Sequence, residues 1–375
     1  MAKFDTSLRD SQSSAVAPIP PERFDVEAYA DYEQSLRARC ASFFAADEGL
    51  VVHRRFRADG VFYDACRDMR QSLALQLGAL KESMRYRMDV PNFLEPWYGI
   101  GYIACCYGGE YIWTPGQAPA VRPAFESCAA LLRAEPVPIR ETDAGRTILE
   151  MIEYFLDATK GKLPVSFSDV QSPLNLLTYL VPMNSLFEEV LEEPEAVRAA
   201  ADVVTGLLID FLKDQRAWIG DCLASPGHGF ASARDFRGVG LSDDISLMVS
   251  SDAYAEMFAP CDERIGDAFG GVAYHSCGNW RGKIDLVKGI RGIVGADGAF
   301  SPETDPSPNR PEDFAGAFAG SGIALNARAV GGAEDALAAL GALMAPGQKL
   351  IAVTYCKTPE EQEAVYRALH AMRGI

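Results

Sequence analysis

The sequence predicts an α/β protein, a closed (β/α)8 TIM-type barrel with an N-terminal helical extension. Three observations carry that prediction. Short apolar runs recur every 20 to 30 residues over the last three-quarters of the 375-residue chain. Amphipathic helical patterns separate them, the signature of βα units on a parallel sheet. No Gly/Pro/Ser-rich linker divides the chain, and enough units fit between residues 91 and 375 to close an eight-stranded barrel. An open doubly wound sheet is the alternative, but no dinucleotide loop supports it.

Taken in order, residues 1–22 read as a mobile arm that ends at Pro18, Pro20 and Pro21, and residues 23–90 as the helical extension, with helices at 25–47 and 61–86. The second helix carries an apolar stripe of Val61, Phe62, Ala65, Met69, Leu73, Leu77 and Leu80. Gly99 and Gly101 lie in an irregular, aromatic-rich stretch and read as turns rather than a nucleotide loop. A helix at 142–159 leads to a strand at 163–167. The helix at 194–218 repeats Val197, Ala201, Val204, Leu208, Phe211 and Trp218 at helical spacing. A glycine-rich loop ends at Asp243-Asp244, a helix follows at 251–269, and a strand at 271–274. Strands near 292–294, 322–325 and 349–354 alternate with helices at 280–289, 332–344 and 358–372.

Charge narrows the function. With 35 Lys+Arg against 52 Asp+Glu, the formal charge is −17, which argues against nucleic acid or an anionic membrane as partner. No apolar run is long enough for a transmembrane helix, and the first residues lack the basic and apolar regions of a secretory signal. Nine cysteines without a regular framework read as reduced thiols of a cytoplasmic protein, some of them free to bind metal.

Of the four histidines, His53 and His370 read as structural or solvated, and His228, between Gly227 and Gly229, as a weak site residue. His275 differs. It opens His275-Ser276-Cys277-Gly278-Asn279 directly after a strand, at the carboxyl end where barrel enzymes build their sites. Residues two apart in an extended chain point the same way, so His275 and Cys277 can face one cation, and Gly278 lets the chain turn away. Cys356 follows the run 349–354 and supplies a third soft ligand at the same end of the sheet. One imidazole and two thiolates make a zinc site with one exchangeable position, the catalytic arrangement. Glu303, beyond the next strand, is a further ligand when no substrate is bound, or else a solvated loop carboxylate. Asp243 and Asp244 either cap the following helix or hold a substrate group.

These residues also resemble a known family. The stretches Asp243-Asp244, Ser250-Ser251-Asp252-Ala253-Tyr254-Ala255-Glu256-Met257-Phe258-Ala259-Pro260, His275-Ser276-Cys277-Gly278-Asn279 and Cys356, with Leu191–Val197 and Tyr107-Gly108-Gly109-Glu110, are similar to the uroporphyrinogen decarboxylase superfamily. Within it the chain resembles the zinc-dependent, corrinoid-linked methyltransferases, over residues 90–372 and most specifically in the 250–279 block. The resemblance implies a barrel with zinc on His275, Cys277 and Cys356. It implies methyl transfer between a corrinoid (cobalamin), free or on a partner protein, and a small molecule: a thiol acceptor such as coenzyme M, or a methyl-ether donor. The arginine-rich N-terminal motif of the true decarboxylases is not recognised in the sequence. Two alternatives stay open: a cofactor-free decarboxylase with a basic pocket for carboxylates, and a non-catalytic metal- or corrinoid-binding barrel acting through a partner. An oligomer is compatible with either.

Overall fold

The computed structural model describes residues 12–58 and 60–374. Its strands are β1 (Ser13–Ser14), β2 (Gly49–Arg54), β3 (Arg57–Ala58), β4 (Val239–Ser242), β5 (Val272–His275), β6 (Ile293–Ala299), β7 (Ala324–Ala329) and β8 (Lys349–Thr354). Six of them form one parallel sheet in the order β2-β8-β7-β6-β5-β4. From β2 round to β4 the ring continues through single contacts rather than a ladder. Asp89 N–H donates to Val52 O, Leu94 bridges Val165, Val165 bridges Leu223, and Gly240 N–H donates to Pro226 O. The α/β barrel architecture is therefore present.

Side-chain alternation sorts each strand into two faces. On β8, Leu350 and Ala352 join an outer apolar layer with Leu340, Val365 and Leu369 of the covering helices, while Ile351, Val353 and Tyr355 pack inward with Val51 and Val90. The outer layer closes because the helices present apolar stripes to it. The helix Pro359–Arg373 starts where Thr358 accepts a hydrogen bond from Glu361 N, and Asp143–Ala158 where Thr142 accepts from Gly145 N. The longest helix, Pro194–Ile219, buries Val197, Ala201, Val204, Leu208 and Phe211, as its periodicity predicts. No helix among the described residues is long and apolar enough to cross a membrane.

The N-terminal boundaries differ from the expectation. Residues 49–54 are a barrel strand paired with β8, so the barrel begins about forty residues before position 91, and residues 23–90 are not helical throughout. The run Gly49-Leu50-Val51-Val52-His53-Arg54 is buried on both faces, and its polar end masks it as a strand. His53 is neutral there: burial drives its imidazole down to about 3, and Nδ1 lies 2.9 Å from Val90 O. The helix expected at 61–86 starts only at Met69, because Asp68 accepts from Gln71 N and stops the preceding 3-10 turn. Of the expected mobile arm, residues 1–11 lie outside the described residues. Residues 12–22 are not free: β1 pairs with β3, and Ile19 N–H donates to Ala74 O at 2.8 Å.

The core predicts its own sensitivity. Leu208 is fully buried, whereas Leu191 is 81% exposed. Leu208→Ala lowers unfolding free energy by about 2–5 kcal/mol, and Leu191→Ala changes it by less than about 0.5 kcal/mol, in urea denaturation of the two variants.

Candidate metal centre at the barrel mouth

Strand β5 delivers His275 inward at its carboxyl end, and the chain then turns through Ser276 and Cys277 at Gly278, whose φ is +74°. Two carboxylates fix this turn. Asp244 Oδ1 accepts from Cys277 N–H at 2.7 Å, and Asp305 Oδ2 from Gly278 N–H at 2.8 Å. Cys277 is exposed, alone among the nine cysteines. His275 Nε2 lies 3.6 Å from Cys277 Sγ and 3.8 Å from Asp244 Oδ1, and the three donor atoms all lie within 4.8 Å of one another.

Behind the imidazole stands a buried acid. Asp297, on β6, is fully buried, and its Oδ2 is 2.6 Å from His275 Nδ1. Arg328, on β7, donates to it from Nε at 2.9 Å and Nη2 at 2.9 Å, and Asn326 Nδ2 donates to Oδ1. Burial alone would raise the Asp297 carboxyl, but Arg328 and His275 outweigh it and hold it at about 2. Burial likewise disfavours a charged His275, yet Asp297 and Cys277 push it to about 10.

This arrangement fits a divalent metal. With Asp297 ionised, Nδ1 stays the ring's N–H donor, so the proton a metal ion would displace is the one on Nε2, the nitrogen that faces Cys277 and Asp244. Imidazole nitrogen, thiolate sulfur and carboxylate oxygen are all zinc ligands, and three such donors leave a position for an exchangeable group.

The structure brings together His275, Cys277 and Asp244, but not the other expected residues. Cys356 is 1% exposed and shares the outer layer with Leu350 and Ala352, near Arg54 and Glu361. It lies at the right end of β8 but on the wrong face, since the residue that points inward there is Tyr355. Its burial pushes the thiol up to about 11. Glu303 is also outside the group; its loop touches the site through Asp305. Asp243 turns toward the helices Ser251–Met257 and Ala259–Phe269, away from Asp244. Its Oδ2 is bound to the Tyr254 hydroxyl, which also lies 2.6 Å from Asp262 Oδ2. Burial drives both carboxyls upward, that of Asp243 to about 6. Asp243 is thus part of the support for the helix Ser251–Met257, which Ser250 caps by accepting from Ala253 N.

A second polar cluster escaped the sequence reading in part. His228 Nδ1 lies 2.9 Å from Glu95 Oε2, and Nε2 lies 3.4 Å from Asp169 Oδ2, to which Trp97 Nε1 donates at 3.0 Å. Burial opposes the charge on Glu95, but His228 and Arg55 hold it at about 2. Asp297, Asn326 and Arg328 were missed altogether. Their signal was there: charged residues inside short strands that are buried on both faces must find partners across the sheet.

Comparison with known proteins agrees with this architecture. The family model described as uroporphyrinogen decarboxylase (URO-D) matches residues 44–225. That match begins with the region of β2 and ends before the 250–279 block in which the motif resemblance is most specific. No curated protein matches. Among solved structures, a methyltransferase from Methanosarcina mazei superposes with a TM-score of 0.63 at 14% identity, covering 91% of this chain and 99% of that one. A protein assigned as a vitamin-B12-independent methionine synthase from Listeria monocytogenes aligns over 60% of this chain and 68% of its own, at 15% identity and a TM-score of 0.34. The chain thus resembles the uroporphyrinogen decarboxylase family over residues 44–225 and shares the fold of the Methanosarcina mazei methyltransferase over 91% of its length.

Proposed function

We propose that the protein is a zinc-dependent methyltransferase that moves a methyl group between a corrinoid, free or carried by a partner protein, and a small thiol acceptor or methyl donor. The observation that carries this reading is the convergence of His275 Nε2, Cys277 Sγ and Asp244 Oδ1 at the mouth, with the far ring nitrogen of His275 locked by Asp297. The motif resemblance and the methyltransferase-like fold support the reaction class.

Each residue has a defined task. Asp297 keeps the ring proton on Nδ1 and sets the plane of the imidazole. Arg328 keeps Asp297 anionic. The short turn 275–278 holds Cys277 beside the histidine, and Asp244 ties the turn down while offering its own oxygen. His275, Cys277 and Asp244 would hold a zinc ion, which would supply Lewis acidity that favours ionisation of a thiol substrate, and the two anionic ligands Cys277 and Asp244 would offset the metal's charge and so preserve the thiol's nucleophilicity. The exposure of Cys277 leaves the site accessible to a bulky methyl carrier.

A second reading, cofactor-free decarboxylation, has one observation in its favour: the guanidinium of Arg55 is buried at the mouth, where it would attract a carboxylate. It needs no metal, so elemental analysis separates the two.

Protein purified without chelators is expected to hold about one zinc per chain. Cys277→Ser loses it, whereas Cys356→Ser keeps it; zinc loss in Cys356→Ser would restore the His275/Cys277/Cys356 ligand set. Asp297→Asn weakens zinc binding by about 10–100-fold in competition with a chromophoric chelator. Zinc-loaded protein demethylates methylcobalamin in the presence of a thiol, or methylates cob(I)alamin from an aryl methyl ether, and Cys277→Ser does neither. Absence of zinc from carefully handled protein would overturn the reading in favour of decarboxylation.

A further inference from the structure

Just below the metal group, the inward face of the barrel is almost bare of strand side chains. The parallel register lines up Ser242, His275, Asp297 and Asn326 across β4, β5, β6 and β7. Two residues earlier, on the same inward face, it lines up Gly240, Ala273, Gly295 and Ala324. Barrel interiors are filled chiefly by bulky branched side chains of the strands. Here four adjacent strands supply two glycines and two alanines, and a loop fills the gap instead. Phe230, on the loop 225–233 that precedes β4, is 2% exposed. A Cβ on Gly240 would stand 2.6 Å from Phe230 Cε2, so the ring occupies space that a strand side chain would otherwise take. Its centroid lies 6.4 Å from that of the His275 imidazole, with the two planes at 77°.

The loop is fixed where it presents this ring. Phe230 N–H donates to Gly227 O at 3.1 Å, Gly227 N–H to Ser232 Oγ at 2.9 Å, and Ala231 N–H to Asn326 Oδ1 at 3.0 Å. The same Asn326 side chain donates to Asp297, so one amide holds both the acid behind His275 and the residue next to Phe230. Even with the ring in place the layer is not full. Unfilled space remains among Ala273, Gly295, Ala324 and Ile351, with Phe43 and Phe236 also in its walls. Phe230 touches both regions: it faces the His275 imidazole, and it lines the apolar space.

We propose that Phe230 determines ligand size at this site: its ring plugs the barrel layer beneath His275 and keeps the apolar group of a ligand bound at the metal group short. This rests on the reading that the ligand sits at His275, Cys277 and Asp244. Without the ring, the layer would be lined by Gly240, Ala273, Gly295 and Ala324, none of which carries a side chain long enough to refill it. A longer straight chain would then reach down into the barrel, each methylene leaving water for an apolar wall. The position suits a specificity residue, because a loop side chain can change without disturbing the strands that hold His275 and Asp297.

Straight-chain thiols from ethanethiol to hexanethiol, titrated calorimetrically into the zinc-loaded full-length protein, test this. In the wild type, affinity should differ little along the series. In Phe230→Ala it should rise about fourfold for each of the first few added methylenes. Adding Ala324→Leu to Phe230→Ala, which refills the layer from a strand, should remove the rise. Benzene gives a readout that does not depend on the metal. Phe230→Ala should bind it with or without Cys277→Ser, and the wild type should not. If no thiol binds the wild type while benzene enters Phe230→Ala, thiols are not the ligands of the metal group, but Phe230 still sets what the barrel admits. If Phe230→Ala binds no benzene, or its thiol affinities are as flat as those of the wild type, the layer closes without the ring and the proposal fails. Should Phe230→Ala fail to fold, Phe230→Leu decides, with a rise of about fourfold over the whole series.

Discussion

The structure turns on one buried charge. Asp297 has no exposure at all, and an isolated carboxylate in such a place would be strongly destabilising. It is tolerated because three strands bring it partners. The parallel register pairs His275 with Asp297 across β5 and β6, and Asp297 with Asn326 across β6 and β7. Arg328 follows Asn326 by two residues on the same inward face. A slip of one residue in any of these strands would send its partner into the outer layer and leave Asp297 unpaired. The requirement that fixes the register of β5, β6 and β7 is therefore the same one that aims Nε2 of His275 at Cys277 and Asp244.

The rest of the mouth inherits this order. Arg328 ends with one donor unused by Asp297, and that donor meets Gln12 of the N-terminal segment. The first described residues are in this way linked to the metal group through two side chains, Arg328 and Asp297. On the other side Arg55, at the end of β2, joins Glu95 and His228, so the polar interior runs without interruption from the metal group to the loop 225–230. Below this layer the barrel interior is apolar, with Ile351, Val353, Ala231 and Phe236 in one cluster. The clustered charge lies at the carboxyl end, where ligands bind, while Lys349, at the amino end of β8, donates to Phe44 O at 2.8 Å.

Much of this was legible in the chain. The helices Asp143–Ala158, Pro194–Ile219 and Pro359–Arg373 follow their apolar stripes and caps closely, and β8 occupies the run 349–354 that its composition marks. That His275 and Cys277 come together was legible because residues two apart in an extended stretch point the same way. Less legible was anything that depends on pairing across the sheet. β2 was hidden by its polar end, since His53, Arg54 and Arg55 interrupt the alternation that identifies strands. Asp297 and Arg328 sit 31 residues apart, and only the register of β6 and β7 makes them neighbours.

Cys356 shows where strand-end reasoning stops. Proximity to the carboxyl end of a strand is a statement about level, whereas coordination requires the right face as well, and the face alternates with every residue. Counting from Ile351 and Val353, which point inward, gives Tyr355 the inward position and Cys356 the outward one. The consequence is chemical. A phenol at that inward position donates to an oxygen acceptor, as Tyr355 does to Gln12, and a carboxylate from Asp244 replaces the second thiolate beside His275 and Cys277. Carboxylate is the harder ligand and its side chain here is 45% exposed, so it is the donor of the three most easily exchanged for an incoming group. The third ligand would then be the one that yields when a substrate arrives, while His275 and Cys277, held by Asp297 and by the 275–278 turn, stay in place.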